Sequence, residues 1–374
     1  MKVTKHYFLF LMLTLGIGLS TASCSSSDDN SGNGDNDPPP GKKELILSAS
    51  ETSIILNTAV QFTAKFGGET VNDFQLIVQG QELENDTKSY TFTEVGEFKV
   101  QAKKSTGELS NTVNISVFKD NDEIENATKF KHRVLVEDFT GAWCQYCPRV
   151  AYKIEQLETN RPEDIIAIAI HNSQSSNVNN GGHDPFDFFK SERNAFEREV
   201  GVGGYPFGMI NRSDDFEDNY DQFASYIKES SSIGIKIESE VFQNDGTIKI
   251  GIKFGEQYAS GVKYAVFMLE DHLLFRQSNS TNYYSHLPRN GNFSLDFEHN
   301  NTLVGMFNGF RGTEISSSVA KAGSEFSNND IYMRHNAQKL ENTKIVVIIT
   351  DMQGKVLNAA SAKTNTKMDY QVVR

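Results

Sequence analysis

From Glu44 to Phe118 apolar and polar residues alternate in short runs, among them Leu45-Ile46-Leu47, Val60-Gln61-Phe62-Thr63-Ala64 and Phe98-Lys99-Val100-Gln101-Ala102, broken by Gly, Asn and Asp. A period of two places every second side chain on one face of a strand, so this segment reads as a small β-sandwich. At Arg133 the pattern changes. Arg133 to Thr140 reads as a buried strand, Val150, Ile154 and Leu157 recur at helical spacing, and Ile165 to Ile170 is apolar throughout. Strand, helix and a second, continuously apolar strand form the βαβ pattern of a parallel sheet. Asp184 to Val200 then reads as a helix carrying Phe186, Phe189 and Phe196, and Gly203 to Ile210 as a turn entering a strand. A last helix is expected from Asn219 to Glu229, with Tyr220, Phe223 and Ile227 on one face. Beyond it, Ile233 to Phe242 and Thr247 to Phe254 alternate around Asn244-Asp245-Gly246, a hairpin signal. Strand-like runs recur at Tyr264 to Leu269, Leu303 to Phe307 and Lys344 to Ile349, and Asp351 to Gly354 turns the chain.

The N-terminus follows neither period. Lys2 and Lys5 precede an apolar run from Tyr7 to Gly18, which suits the core of a signal peptide and falls short of the roughly 20 residues that span a bilayer. The run ends in Leu19-Ser20-Thr21-Ala22-Ser23-Cys24, small residues leading to a cysteine, as a lipoprotein signal peptidase requires. Cys24 is then the lipidated first residue of the mature chain. Thr21 stands where Leu is most common in such sites, and ordinary secretory cleavage near Ala22 is the alternative. Residues 25–43 are Ser, Asp, Asn, Gly and Pro with two closing lysines, a solvated tether. Ser27-Asp28-Asp29 resembles the acidic signal that sends some lipoproteins to the outer face of the outer membrane. The expected organisation is therefore a signal peptide (1–23), a tether (24–43), a β-sandwich (44–118), an α/β domain (130–230) and a C-terminal β-domain (231–374).

Composition narrows the function classes. The chain has 374 residues, 38% hydrophobic and 11% aromatic, enough to exclude wholesale disorder. Its net charge of -13 offers no attraction to phosphates, so nucleic acid is not an expected partner.

There are three cysteines, and with Cys24 assigned to lipid, Cys144 and Cys147 remain as a C-x-x-C pair between a strand and a helix. A thiol at a helix N-terminus meets unpaired backbone N–H groups and the positive end of the helix dipole, which favour the thiolate. Cys144, the outer of the two, is the expected nucleophile, and Cys147 the resolving thiol. Pro148 suits the first helical turn because it has no N–H to lose. The alternative is that the pair is an inert disulfide, since two cysteines in an exported chain find each other. Half a zinc site is disfavoured because no second cysteine pair exists, and covalent c-type haem is excluded by Pro148 where a histidine is needed. No metal or cofactor is implied. His171 and His183 lie where a sheet end could bring them to the disulfide; otherwise they are ordinary loop and strand-end histidines.

Three resemblances add to this reading. Tyr90 to Val100 resembles the last hairpin of bacterial immunoglobulin-like and PKD-like domains. Val134 to Phe139 followed by Trp143-Cys144-x-x-Cys147-Pro148 resembles the first strand and active-site turn of thioredoxins. That resemblance implies a buried acid, Asp138, that moves the resolving thiol's proton; Glu137 points to the other face of the strand. It also implies a cis-proline facing the disulfide, for which Tyr205-Pro206 is placed. The whole arrangement resembles the outer membrane protein 28-related lipoproteins, on Glu137 to Gly141 with Cys144, Cys147 and Pro148, on Tyr205-Pro206, and on Leu274 to Arg289 with Gln277 and His286. The expectation is a multidomain, lipid-anchored outer-membrane protein with a thioredoxin-like central domain. Its function is thiol-disulfide exchange with protein substrates, or else non-catalytic binding of a surface partner by a protein stapled with a structural disulfide.

Overall fold

The computed structural model describes residues 44–83, 87–119, 126–173, 183–216 and 220–373. The expected signal peptide, Cys24 and the expected tether lie outside the described residues. The N-terminal part packs two sheets on one core. Leu45–Ala49, Ala59–Phe66, Glu69–Val71 and Ser89–Thr91 form one, and Ser53–Ile55, Val113–Phe118, Gly96–Lys104, Phe74–Val78 and Gln81–Glu82 the other. Alternation decides which side chains meet: Val60, Phe62 and Ala64 point inward to Leu47, Leu76, Phe92 and Ile115, while Gln61, Thr63 and Lys65 face water.

The rest of the chain is organised around a single mixed sheet of nine strands, and this overturns the expected central α/β thioredoxin-like domain. In order, the sheet runs Asp214–Asp215, Phe207–Ile210, Val134–Thr140, Ile165–His171, Thr302–Met306, Val262–Glu270, Thr343–Thr350 and Val356–Lys363, with Thr313–Ile315 paired to Val262–Glu270. Strands from both sides of the expected boundary at residue 230 are thus hydrogen-bonded into one sheet. The described chain is 48% strand and 11% helix, with three helices. The physical reason lies in Ile165–His171, which is buried at all seven positions. A strand so apolar cannot end a sheet, and Thr302–Met306 joins its free edge in parallel.

One face of this sheet carries Leu135, Phe139, Ile168, Phe267 and Val346 against Phe196 and Phe310, whose rings stack at 4.6 Å. The opposite face is divided. Val134, Val136, Ile165 and Ala167 receive Val150, Ile154 and Leu157 of the Pro148–Asn160 helix. Val266, Met268, Ile345 and Val347 instead receive a second sheet built on the hairpin Ile233–Val241 and Asp245–Phe254. The other helices are shorter than the periodicity suggests, Lys190–Val200 and Tyr220–Tyr226. Residues 184–189, expected to begin the first of these, form turns and irregular backbone. A three-stranded sheet, Leu273–Ser278, Phe293–His299 and Arg289–Asn290, stands beside the parallel strands. Phe118, Phe130, Tyr370 and Val372 form a small cluster between the N-terminal sandwich and the rest. No helix among the described residues is long and apolar enough to cross a membrane.

Candidate functional site

Val134–Thr140 and Ile165–His171 run in parallel, so their C-terminal ends lie side by side, with Thr140 opposite His171. The chain leaves the first strand through Gly141, Ala142 and Trp143 into the Cys144–Cys147 disulfide, and the helix begins at Pro148 with Cys147 as its N-cap. Gly141 is required there, because a Cβ would lie 2.6 Å from the Trp143 indole nitrogen and 2.8 Å from the Asn172 carbonyl oxygen. That close approach lets the Trp143 Nε1–H donate to the Asn172 oxygen at 2.7 Å. The Trp143 ring rests against Tyr205, with centroids 5.3 Å apart.

Tyr205–Pro206 is a cis peptide bond. It precedes Phe207–Ile210, which pairs antiparallel with Val134–Thr140 so that Phe207 faces Phe139. Pro206 therefore sits at the same sheet end as the disulfide. The Tyr205 hydroxyl donates to Glu197 and accepts from the Asn172 amide at 2.7 Å. Burial and the Glu197 carboxylate push that hydroxyl above the usual phenol range. Glu197 in turn takes an ion pair from Arg193, which also binds Asp187.

Asp138 and Glu137 diverge, as neighbours on a strand must. Asp138 lines a cavity of about 50 Å³ shared with Cys147, Pro148, Glu158, His171 and His299. Glu137, fully buried, forms a bidentate pair with Arg212 on the other side, with Arg212 Nη2 at 2.6 Å and Nε at 2.9 Å. The cavity has room for a few waters and is well below the roughly 300 Å³ at which ligand pockets begin.

His171 also belongs to this wall. Its Nδ1 lies 2.8 Å from Asp184 Oδ2, which accepts the Ala142 N–H at 2.7 Å, while Asp184 Oδ1 accepts the Phe186 N–H at 2.8 Å. Burial opposes ionisation of Asp184, but His171 and these donors outweigh it and hold the carboxyl below its ordinary range. His299 packs edge-on to His171 at 5.2 Å, and burial followed by the charge of that neighbour lowers it to about 3. His183 precedes Asp184 and is half-buried.

The disulfide is not open. Cys144 is 3% exposed and Cys147 1%, so both members of the pair are buried. The cover is the segment Gln277–Ser280, from the C-terminal part of the chain. Gln277 Nε2 donates to the carbonyls of Gly141 and Cys144 at 3.2 and 2.9 Å, the Ser278 N–H to Ala142 at 2.8 Å, and the Ser280 N–H to Gln145 at 2.9 Å. Beyond it, Tyr283 and Tyr284 close over Tyr152 of the helix, and the Tyr284 hydroxyl donates to Glu155 at 2.9 Å. His286 is exposed. Sequence reasoning placed Cys144, Cys147, Asp138 and Pro206 together but missed Asp184 and the covering role of Gln277. Among the described residues no group of three or more His, Cys, Asp or Glu side chains is arranged to hold a metal.

These features agree with the comparisons to known proteins only in part. Residues 193–368 match the family model described as outer membrane protein Omp28. The match is to an outer-membrane protein family and includes Pro206 and Gln277; it begins after Cys144 and Cys147. No curated protein matches the chain. Among solved structures, protein AGR_C_4864 from Agrobacterium tumefaciens is 12% identical with a TM-score of 0.39, over 62% of this chain and 94% of that one. A β-glucosidase from Kluyveromyces marxianus in complex with glucose is 10% identical with a TM-score of 0.18, over 84% of this chain and 45% of that one. Likenesses this distant support no statement about activity.

Proposed function

We propose that the protein is an outer-membrane lipoprotein, anchored through lipid on Cys24, that works by binding a surface partner, with Cys144–Cys147 as a structural tie. The observation that carries this reading is the seal over the disulfide. Exchange requires a thiolate to approach one sulfur in line with the bond it breaks. A pair 3% and 1% exposed, under a segment held by hydrogen bonds to Gly141, Ala142, Cys144 and Gln145, offers no such approach. The placement at the outer membrane is supported by the match of residues 193–368 and by the signal-peptide pattern ending at Cys24. Ser27-Asp28-Asp29 favours the cell-surface side.

A second reading, thiol-disulfide exchange, draws on the cis Tyr205–Pro206 bond beside the turn and on Asp138 behind Cys147. In it Cys144 attacks, Cys147 resolves, Asp138 relays the proton and Pro206 presents backbone to a protein substrate.

Two experiments on the full chain separate these readings. Radiolabelled palmitate should enter the native protein in a Gram-negative host and not the Cys24→Ala variant, which should also leave the membrane fraction; label retained by that variant removes the anchor. In Cys147→Ala, the first reading predicts no mixed disulfides at Cys144 in a cell-envelope extract. Abundant adducts released by reductant would transfer the case to the second.

A further inference from the structure

At the edge of the same cavity four side chains from four separate elements meet: Glu158 on the Pro148–Asn160 helix, Asp271 after Val262–Glu270, Asn301 before Thr302–Met306, and Lys344 at the start of Thr343–Thr350. Lys344 Nζ lies 2.6 Å from Asn301 Oδ1 and 3.1 Å from Asp271 Oδ2. Asn301 Nδ2 donates to Glu158 Oε1 at 2.9 Å. The amide is therefore gripped at both ends, its oxygen by an amine and its nitrogen by a carboxyl group. Its backbone is fixed as well. The Asn301 N–H donates to Asp271 Oδ1 at 2.7 Å, its carbonyl accepts from Ala169 at 2.8 Å, and the residue is 4% exposed.

We propose that Lys344 and Asn301 condense into an intramolecular isopeptide bond, with Asp271 as the base and Glu158 as the acid. Asp271 takes one proton from the Lys344 ammonium, freeing the nitrogen lone pair. The amine attacks Asn301 Cγ, and Glu158 delivers its proton to Nδ2. The Cγ–Nδ2 bond then breaks and Nδ2 leaves as ammonia. The second proton lost by the Lys344 nitrogen restores Glu158, and the proton on Asp271 passes to solvent. One C–N bond forms, one breaks, and no oxidant or reductant is needed.

The environment favours this division of roles. Burial raises Glu158 above the usual carboxylate range, with Lys344 opposing and Asp271 adding to the effect, so Glu158 is suited to hold the proton that the leaving nitrogen needs. Asp271 faces the lysine directly and stays about a third exposed, with a route for its proton to water. Holding both reacting groups in contact replaces a bimolecular encounter by an intramolecular step. The product would tie strands on either side of Val262–Glu270, since Glu270 pairs with both Thr302 and Thr343. Such a bond survives reduction and suits a protein displayed outside the cell.

The test is a tryptic peptide map of the purified, disulfide-reduced full chain by tandem mass spectrometry. The expected result is a branched peptide joining Lys344 to residue 301, lighter by one ammonia than its two parts, with no cleavage after Lys344. Glu158→Gln keeps an acceptor for Nδ2 but no proton to give, so it should yield the two unlinked peptides. Cleavage after Lys344 and an unmodified Asn301 peptide in the native protein would overturn the proposal, as would an ammonia loss mapped elsewhere. Full linkage in Glu158→Gln would overturn the role of Glu158. If that variant fails to fold, the native map alone decides.

Discussion

At the scale of single residues, the buried polar groups carry the sharpest consequences. Glu137 is fully enclosed and is compensated by Arg212, whose guanidinium also lies over the Phe196 ring at 4.6 Å. His132 and His299 have no such compensation. Both are buried, and His132 Nδ1 and His299 Nε2 have no hydrogen-bond partner among the described residues. Burial, then the positive charge of Lys228 and Lys131, lowers His132 from 6.5 to about 4; burial, then His171, lowers His299 to about 3. Below pH 6.5 the unfolded chain binds protons that the folded one refuses, so stability is full above that pH and falls as the pH drops towards 4. Glu158 and Glu270, both raised, act in the opposite direction as the folded state takes up their protons. Urea midpoints for the native chain and for His132→Gln, compared from pH 7.5 to about 5, isolate the histidine. The native midpoint should fall by more than that of the variant; parallel curves would exclude His132 as a source of acid sensitivity.

Elements were legible where one period ran undisturbed. The hairpin expected around Asn244-Asp245-Gly246 is found as Ile233–Val241 and Asp245–Phe254, and Val150, Ile154 and Leu157 lie on the buried face of the Pro148–Asn160 helix. What could not be read was the neighbour of each strand. Ile165 to Ile170 announces a buried strand, yet nothing local says that its second partner is Thr302–Met306, more than a hundred residues on. The same gap explains the mistaken thioredoxin-like domain: strand, disulfide turn and helix were read correctly in sequence, but the sheet does not stop with them. In the site, Cys144, Cys147, Asp138 and Pro206 carry motif spacing, which is why the sequence singles them out. Lys344, Asn301, Glu158 and Asp271 have none, because Asn and Asp in turns are ordinary and only the folded sheet brings them together.

Close approach between elements supplies a test at this scale. Gly312 has φ of +70°, and a Cβ there would lie 2.2 Å from the Tyr264 carbonyl oxygen, at the start of the Val262–Glu270 strand that pairs with three others. Backbone cannot yield as a side chain end can. Gly312→Ala should lower stability by more than about 1 kcal/mol in urea unfolding. Gly323, with φ of +75° and nothing near its Cβ position, is the control and should show only the smaller backbone cost on substitution by Ala.

For the molecule as a whole, the disulfide sits where two long-separated parts of the chain meet. The helix that follows it packs on the parallel strands, and Gln277–Ser280, more than a hundred residues further along the chain, closes over it. In this account Cys144–Cys147 holds the turn in the shape that Gln277 reads, and the residues around it serve architecture. Trp143 reports the state of the bond directly: it is the only tryptophan in the chain and adjoins Cys144, with its indole fixed on Asn172 and Tyr205. Titrating its fluorescence against a glutathione couple measures the reduction potential of the pair. A structural tie predicts a value below about -300 mV, out of reach of the glutathione pool; a value between about -270 and -120 mV, the range of exchange enzymes, would contradict it.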